Sequence, residues 1–242
     1  MRTLLATELP DIWERGERQH PLDRAITLLA TACPEKERDE LVHLSIGQRD
    51  ALLFALREMT FGREMQAYTE CPACGAQLEF KLNIEELLRG YRTLDGNGKI
   101  TRLNSYNIRF RLPDSADIAA CINSGSIDTD KELLKRCVLK ITHNKKIVAF
   151  DDIPEATLST LIARMAEADS LSDIQIALSC IECNHKWTMT LDILSFLWEE
   201  LGNQVMQILY QVHVLSRAYG WFEADILAMS SWRRQYYMNM VT

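Results

Sequence analysis

The chain has 242 residues, with 27 Lys+Arg against 34 Asp+Glu and a formal net charge of −7. That length supports one large domain or two small ones around a proper core, and a hydrophobic share of 47% with 25% charged residues excludes a wholly disordered chain. The acidic balance supplies no global field for nucleic acid or an anionic membrane surface.

The N-terminal stretch Met1 to Glu8 lacks a continuous apolar core and turns acidic at once, so it does not read as a signal peptide. No run of about 18 uncharged apolar residues offers a conventional membrane span. A cytoplasmic protein is expected.

The first 65 residues read as helical. Leu22, Ala25, Ile26, Leu29 and Ala30 recur on one face after Pro21, a residue suited to a first helical turn. Ser45-Ile46-Gly47-Gln48 has the form of a capping box and leads into Leu52, Leu53, Leu56 and Met59, a helix ending near Phe61-Gly62. Residues 66–113 then form a β section with one helical patch, Ile84 to Tyr91, and a reversal at Asp95-Gly96-Asn97-Gly98. Beyond it, Tyr106, Ile108, Phe110 and Leu112 alternate with Asn107, Arg109 and Arg111, the signature of a strand with one polar face.

From Pro113 the pattern turns helical. Asp114 or Ser115 caps a helix through Ile122, Asp130 opens another through about Ile141, and Asp152-Ile153-Pro154-Glu155 starts a third with Leu158, Leu161, Ile162 and Met165 as its stripe. Residues 114–170 are thus expected as a helical insertion. Residues 171–190 return to strands, Ile174 to Leu178 and Lys186 to Thr190. In the C-terminal helical region, 191–242, an apolar helix runs from Leu191 to about Tyr219. Gly220 caps it, and shorter helices follow at Phe222 to Met229 and Trp232 to Met240.

Seven cysteines do not fit a fully paired disulfide framework. Four fall in two knuckles, Cys71-Pro72-Ala73-Cys74-Gly75 and Cys180-Ile181-Glu182-Cys183-Asn184. Two thiolates two residues apart can turn toward one point, and two such pairs complete a tetrahedral zinc site. Gly75 and Asn184 both tolerate the left-handed conformation such a turn needs. The flanks of each knuckle alternate polar and apolar residues, as strands of a zinc ribbon do.

The ribbon is split, with 105 residues between Cys74 and Cys180. Closing such a loop costs roughly 4 to 5 kcal/mol, against on the order of 10 kcal/mol or more from a structural zinc. Competing readings are redox-active Cys-x-x-Cys pairs and unrelated cysteines. His185 is a further nitrogen beside the second knuckle. Cys33, Cys121 and Cys137 are expected as buried apolar residues. The fold class is therefore α+β, mainly helical, with a small antiparallel β section forming a split four-Cys zinc ribbon. Cys71, Cys74, Cys180 and Cys183 are its ligands and Zn2+ a structural cofactor.

No phosphate-binding loop, nucleophile elbow or HExxH motif occurs, and a four-thiolate site keeps no open position for water. Neither an enzyme nor a small-molecule substrate is expected. Aromatic, Met and Arg residues crowd the last 45 positions, the composition protein interfaces favour. Trp221, Trp232, Arg233, Arg234, Tyr236 and Tyr237 are the candidate partner-binding residues. An alternative is a zinc-ribbon nucleic-acid module using Arg102, Arg109 and Arg111 as backbone contacts, against which the net charge counts.

The string Leu215-Ser216-Arg217-Ala218-Tyr219-Gly220-Trp221-Phe222-Glu223-Ala224-Asp225-Ile226-Leu227-Ala228-Met229-Ser230, followed by Arg233-Arg234-Gln235-Tyr236-Tyr237, resembles the C-terminal signature of the T4-type baseplate protein family. The double knuckle, Phe110-Arg111-Leu112-Pro113 with Ser115-Ala116-Asp117, and Phe196-Leu197-Trp198-Glu199 resemble the same family's layout, from roughly Leu22 to Val241. The resemblance implies a non-enzymatic assembly factor, described in that family as a hub assembly chaperone of contractile phage tails and related injection systems. Its partners would be baseplate, hub or spike subunits, and it would act in the bacterial or phage-infected cytoplasm, whether or not it is retained in the assembled particle. The family offers no catalytic residues to carry over.

Overall fold

A computed structural model describes residues 1–89, 99–125 and 128–241. Helices α1 (Leu9–Glu17), α2 (Pro21–Ala32), α3 (Arg38–Val42) and α4 (Ile46–Phe61) come first. A hairpin follows, β1 (Glu64–Glu70) and β2 (Gln77–Asn83), then the single turn α5 (Ile84–Leu87). Strands β3 (Lys99–Leu103) and β4 (Tyr106–Phe110) precede α6 (Ser115–Ser124), α7 (Thr129–Cys137), β5 (Val138–His143), β6 (Lys146–Ile147) and α8 (Glu155–Ala168). A second hairpin, β7 (Ile174–Ser179) and β8 (Lys186–Leu191), leads to α9 (Ile193–Tyr219), α10 (Glu223–Ala228) and α11 (Ser231–Val241). The class is α+β, mainly helical with small antiparallel sheets, as the sequence predicts. Among the described residues no helix is long and apolar enough to cross a membrane.

The chain divides into two compact units, one of residues 1–35 with 193–242 and one of residues 36–192. In the first, α1 and α2 pack on α9 around Trp198. The Trp198 ring occupies the space a Cβ on Gly16 would need, and the Arg24 guanidinium lies 4.9 Å over it. Farther along α9, Leu215, Ile226 and Met238 form a small core that holds α10 and α11 against it. Gly220, at φ 70, accepts the left-handed turn that ends α9.

In the second unit the starts of α4 and α6 are built by reciprocal side-chain caps. Ser45 and Gln48 exchange the two bonds of a capping box at α4, and Asp114 and Asp117 do the same at α6. Strands β3-β4-β5-β6 form one antiparallel sheet. On one of its faces Leu103, Ile108, Phe110 and Ile141 pack with Leu158, Leu161 and Met165 of α8.

Two elements differ from the sequence-based expectation. The helix predicted to run from Asp130 through Ile141 ends at Cys137, and residues 138–143 are strand β5, so residues 114–170 are not all helical. Leu134 and Cys137 face the core at helical spacing, after which Ile141 is buried between Lys140 and Thr142 at strand spacing. The free edge of β4 decides it, since it supplies a ladder of hydrogen bonds to a short β-branched run. Likewise β4 ends at Phe110 after a register shift at Arg109/Phe110, and Arg111 leaves the strand face. The predicted turn at residues 95–98 and the end of the helical patch at Tyr91 lie outside the described residues.

Candidate metal centre

Each knuckle is the tip of a hairpin. Strands β1 and β2 pair from Glu64↔Asn83 to Glu70↔Gln77, leaving Cys71 to Ala76 as the turn. Strands β7 and β8 pair from Ile174↔Leu191 to Ser179↔Lys186, leaving Cys180 to His185. The two turns close in the same way. Gly75 N–H donates to Cys71 O and Cys71 N–H to Ala76 O, both at 2.9 Å, while Asn184 N–H donates to Cys180 O at 3.0 Å and Cys180 N–H to His185 O at 2.9 Å. Gly75 and Asn184 occupy matching positions with φ of 74° and 58°.

The fold brings the knuckles together within the second unit. Cys71 Sγ lies 3.7 Å from Cys183 Sγ, and Cys74 Sγ lies 3.6 Å from Cys180 Sγ. All four sulfurs fall within 4.8 Å of one another. A tetrahedral ion with metal–sulfur bonds of about 2.3 Å sets sulfurs about 3.8 Å apart, so these cross-knuckle distances fit one shared ion. Cys71 and Cys180 are buried, Cys74 and Cys183 exposed.

The thiols shift one another's ionisation through mutual hydrogen bonds. Burial pushes Cys71 up, but the N–H groups of Ala73 and Cys74 and the thiols of Cys74 and Cys180 outweigh it and leave it at about 7. At Cys74 the Ala76 N–H favours thiolate, yet bonding to Cys183, Cys180 and Cys71, together with burial, pushes it up to about 12. Cys183 is favoured as thiolate by the His185 N–H and Cys74, but burial, Cys180 and Cys71 raise it. Cys71 is favoured as thiolate while Cys74 and Cys183 resist ionisation, and a bound cation would offset the cost of holding their thiolates together.

The remaining cysteines, Cys33, Cys121 and Cys137, are buried as expected. His185 is exposed and stacks on Trp187 at 5.9 Å, and it stands outside the sulfur cluster. The sequence pattern points to the His185 side chain but gives no role to the backbone groups of Ala76 and His185, which close the turns and face the sulfurs. Their position two residues past each knuckle is the signal that could have found them.

The six candidate partner residues separate into two groups. Trp221 and Tyr237 pack on the small core of the first unit, with Trp221 stacked on Tyr219 at 4.4 Å and edge-on to Tyr237 at 4.9 Å. Arg234 is buried, donating from Nε to Gln211 Oε1 at 3.0 Å and from Nη1 to Met229 O at 2.5 Å. Trp232, Arg233 and Tyr236 are exposed, and Trp232 and Tyr236 stack at 5.6 Å. Of the basic residues considered for nucleic acid, Arg102 and Arg109 are exposed, while Arg111 pairs with Asp117 at 2.5 and 2.8 Å.

The paired hairpins and their sulfurs define a class, a mainly helical protein in which two hairpin tips bring together four cysteines that could hold a metal ion. The chain belongs to the T4 bacteriophage base plate protein family, whose model matches residues 2–198. That match covers both knuckles and ends before the C-terminal string from Leu215. No curated protein and no solved structure matches the chain. Membership supports a baseplate-related structural role alongside other baseplate components.

Proposed function

We propose that this protein is a non-enzymatic assembly factor or adaptor for the baseplate or central hub of a contractile phage tail or phage-tail-like injection system. Zn2+ on Cys71, Cys74, Cys180 and Cys183 acts structurally in it, tying two hairpins that local sequence cannot bring together. The family match across residues 2–198 carries this reading, and the sulfur geometry supports the metal. Zinc suits four thiolates better than a hard cation does.

Trp232, Arg233 and Tyr236 form the exposed part of the partner surface, which meets a baseplate, hub or spike subunit. Trp221, Arg234 and Tyr237 hold the helices that present it. The protein acts in the cytoplasm of the bacterial or infected cell before the particle is complete.

The test is deletion of the encoding gene, followed by electron microscopy of the particles. Tails lacking baseplates, restored by the wild-type gene in trans, are expected. Complete, functional particles would overturn the assignment. Mass spectrometry of purified wild-type particles then separates a transient chaperone from a retained component.

A further inference from the structure

The four-stranded sheet has a second face, opposite the one packed on α8. Register places Ile100 beside Arg109 and Arg109 beside Lys140 in one cross-strand row, and Arg102 beside Asn107, Thr142 and Ile147 in the next. Directly paired residues in an antiparallel sheet share a face. Arg102, Arg109 and Lys140 are all exposed, and Ile100 and Ile147, on the outer strands, are 73% and 78% exposed.

Among its described residues this face carries three cations and no carboxylate, in a chain whose net charge is −7. Among the described residues, none of the three cations makes an ion pair or a side-chain hydrogen bond. Elsewhere in the same unit arginines are engaged, as Arg111 and Arg136 are with Asp117. Like charges held in adjacent rows repel, and a partner of opposite charge relieves that.

We infer that this sheet face is a docking surface for an acidic segment of a protein partner, carboxylates meeting Arg102, Arg109 and Lys140 and apolar side chains covering Ile100 and Ile147. Charge complementarity names the occupant, and the isoleucines separate a protein from a nucleic acid. An interface desolvates apolar edges, whereas a nucleic acid finds no aromatic platform among the described residues of this face. The surface involves neither the cysteine centre nor α11, so it stands or falls apart from the baseplate assignment.

The experiment uses fluorescence anisotropy with two labelled probes, a peptide of four Glu-Glu-Ile-Gly repeats and an oligothymidylate of equal charge. The proteins are the full-length wild type, Arg102→Gln/Arg109→Gln/Lys140→Gln and Ile100→Ser/Ile147→Ser, each checked for an unchanged melting transition. The peptide is expected to bind the wild type, about tenfold or more weaker to the charge variant, and weaker to the isoleucine variant. Tighter binding of oligothymidylate, indifferent to the isoleucines, would overturn the inference in favour of nucleic acid. Failure of the peptide to bind, or equal binding by all three proteins, would reduce the face to solvated charge.

Discussion

The Gly47 backbone N–H donates to Asp169 Oδ2 at 3.0 Å, joining the first turn of α4 to a carboxylate 122 positions further along the chain. Ser45 Oγ donates to Asp169 Oδ1 at 3.2 Å, so one buried carboxylate serves the start of a helix that Ser45 also caps. Burial raises the Asp169 pKa, opposed by the Gly47 N–H, the Ser45 hydroxyl and the Arg49 charge. The approach is close enough that a Cβ on Gly47 would overlap Oδ1.

Gly47→Ala should therefore destabilise the second unit by about 2 kcal/mol, through overpacking against the buried Asp169 carboxylate. Asp169→Ala should cost about 1–3 kcal/mol by leaving a buried N–H unpaired, and Asp169→Asn, which keeps an acceptor, less. Urea unfolding of the three variants checks the order.

Acid should weaken the same unit through Asp117. Burial alone would raise its carboxyl, but Arg111, the Asp114 N–H and Arg136 hold it at about 2, below the ordinary 3.8. A depressed folded value means the stabilisation is complete above about pH 4 and lost as the pH falls toward 2, amounting to about 2 kcal/mol. Asp117→Asn should flatten that limb of the stability–pH curve while lowering the plateau.

The cysteine centre should bind one zinc per chain, measured by plasma mass spectrometry on protein purified without added metal. Chelation or Cys180→Ser should lower the melting temperature markedly, since metal binding is linked to folding. In the chelated protein the exposed Cys74 and Cys183 should react with a thiol reagent before the buried Cys121 and Cys137. Four reactive thiols in freshly purified, metal-free protein would favour the redox reading.

The two knuckle turns should respond differently to substitution. Gly75→Ala strains a backbone at φ 74 and should weaken zinc retention, with a cost of about 1 kcal/mol. Asn184→Gly, at φ 58, should be close to neutral. A competition titration against a metallochromic chelator reads both.

On the C-terminal helices, Trp232→Ala, Arg233→Ala and Tyr236→Ala should leave the melting transition in place and reduce capture of baseplate subunits. Arg234→Ala should instead destabilise α10 and α11 by about 1–3 kcal/mol, because Met229 O and Gln211 lose a buried donor. Unchanged melting of Arg234→Ala would contradict the burial of that side chain.

What the sequence by itself determined is local. The knuckle turns follow from two cysteines and a residue tolerant of positive φ, the start of α4 from Ser45 with Gln48, and the end of α9 from Gly220. These depend on backbone groups within one or two turns, so spacing is enough to specify them. Tertiary structure decided the rest. Whether Cys74 meets Cys180 depends on the path of everything between them. Residues 138–143 became strand because β4 offered a free edge, and a short apolar run satisfies helix or strand alike. Arg233 and Arg234 are adjacent and identical in the sequence, yet one is exposed and the other buried, since only packing against α9 distinguishes two faces of α11. Lys140 stands beside Arg109 for the same reason: strand register, which no local pattern encodes, made them neighbours.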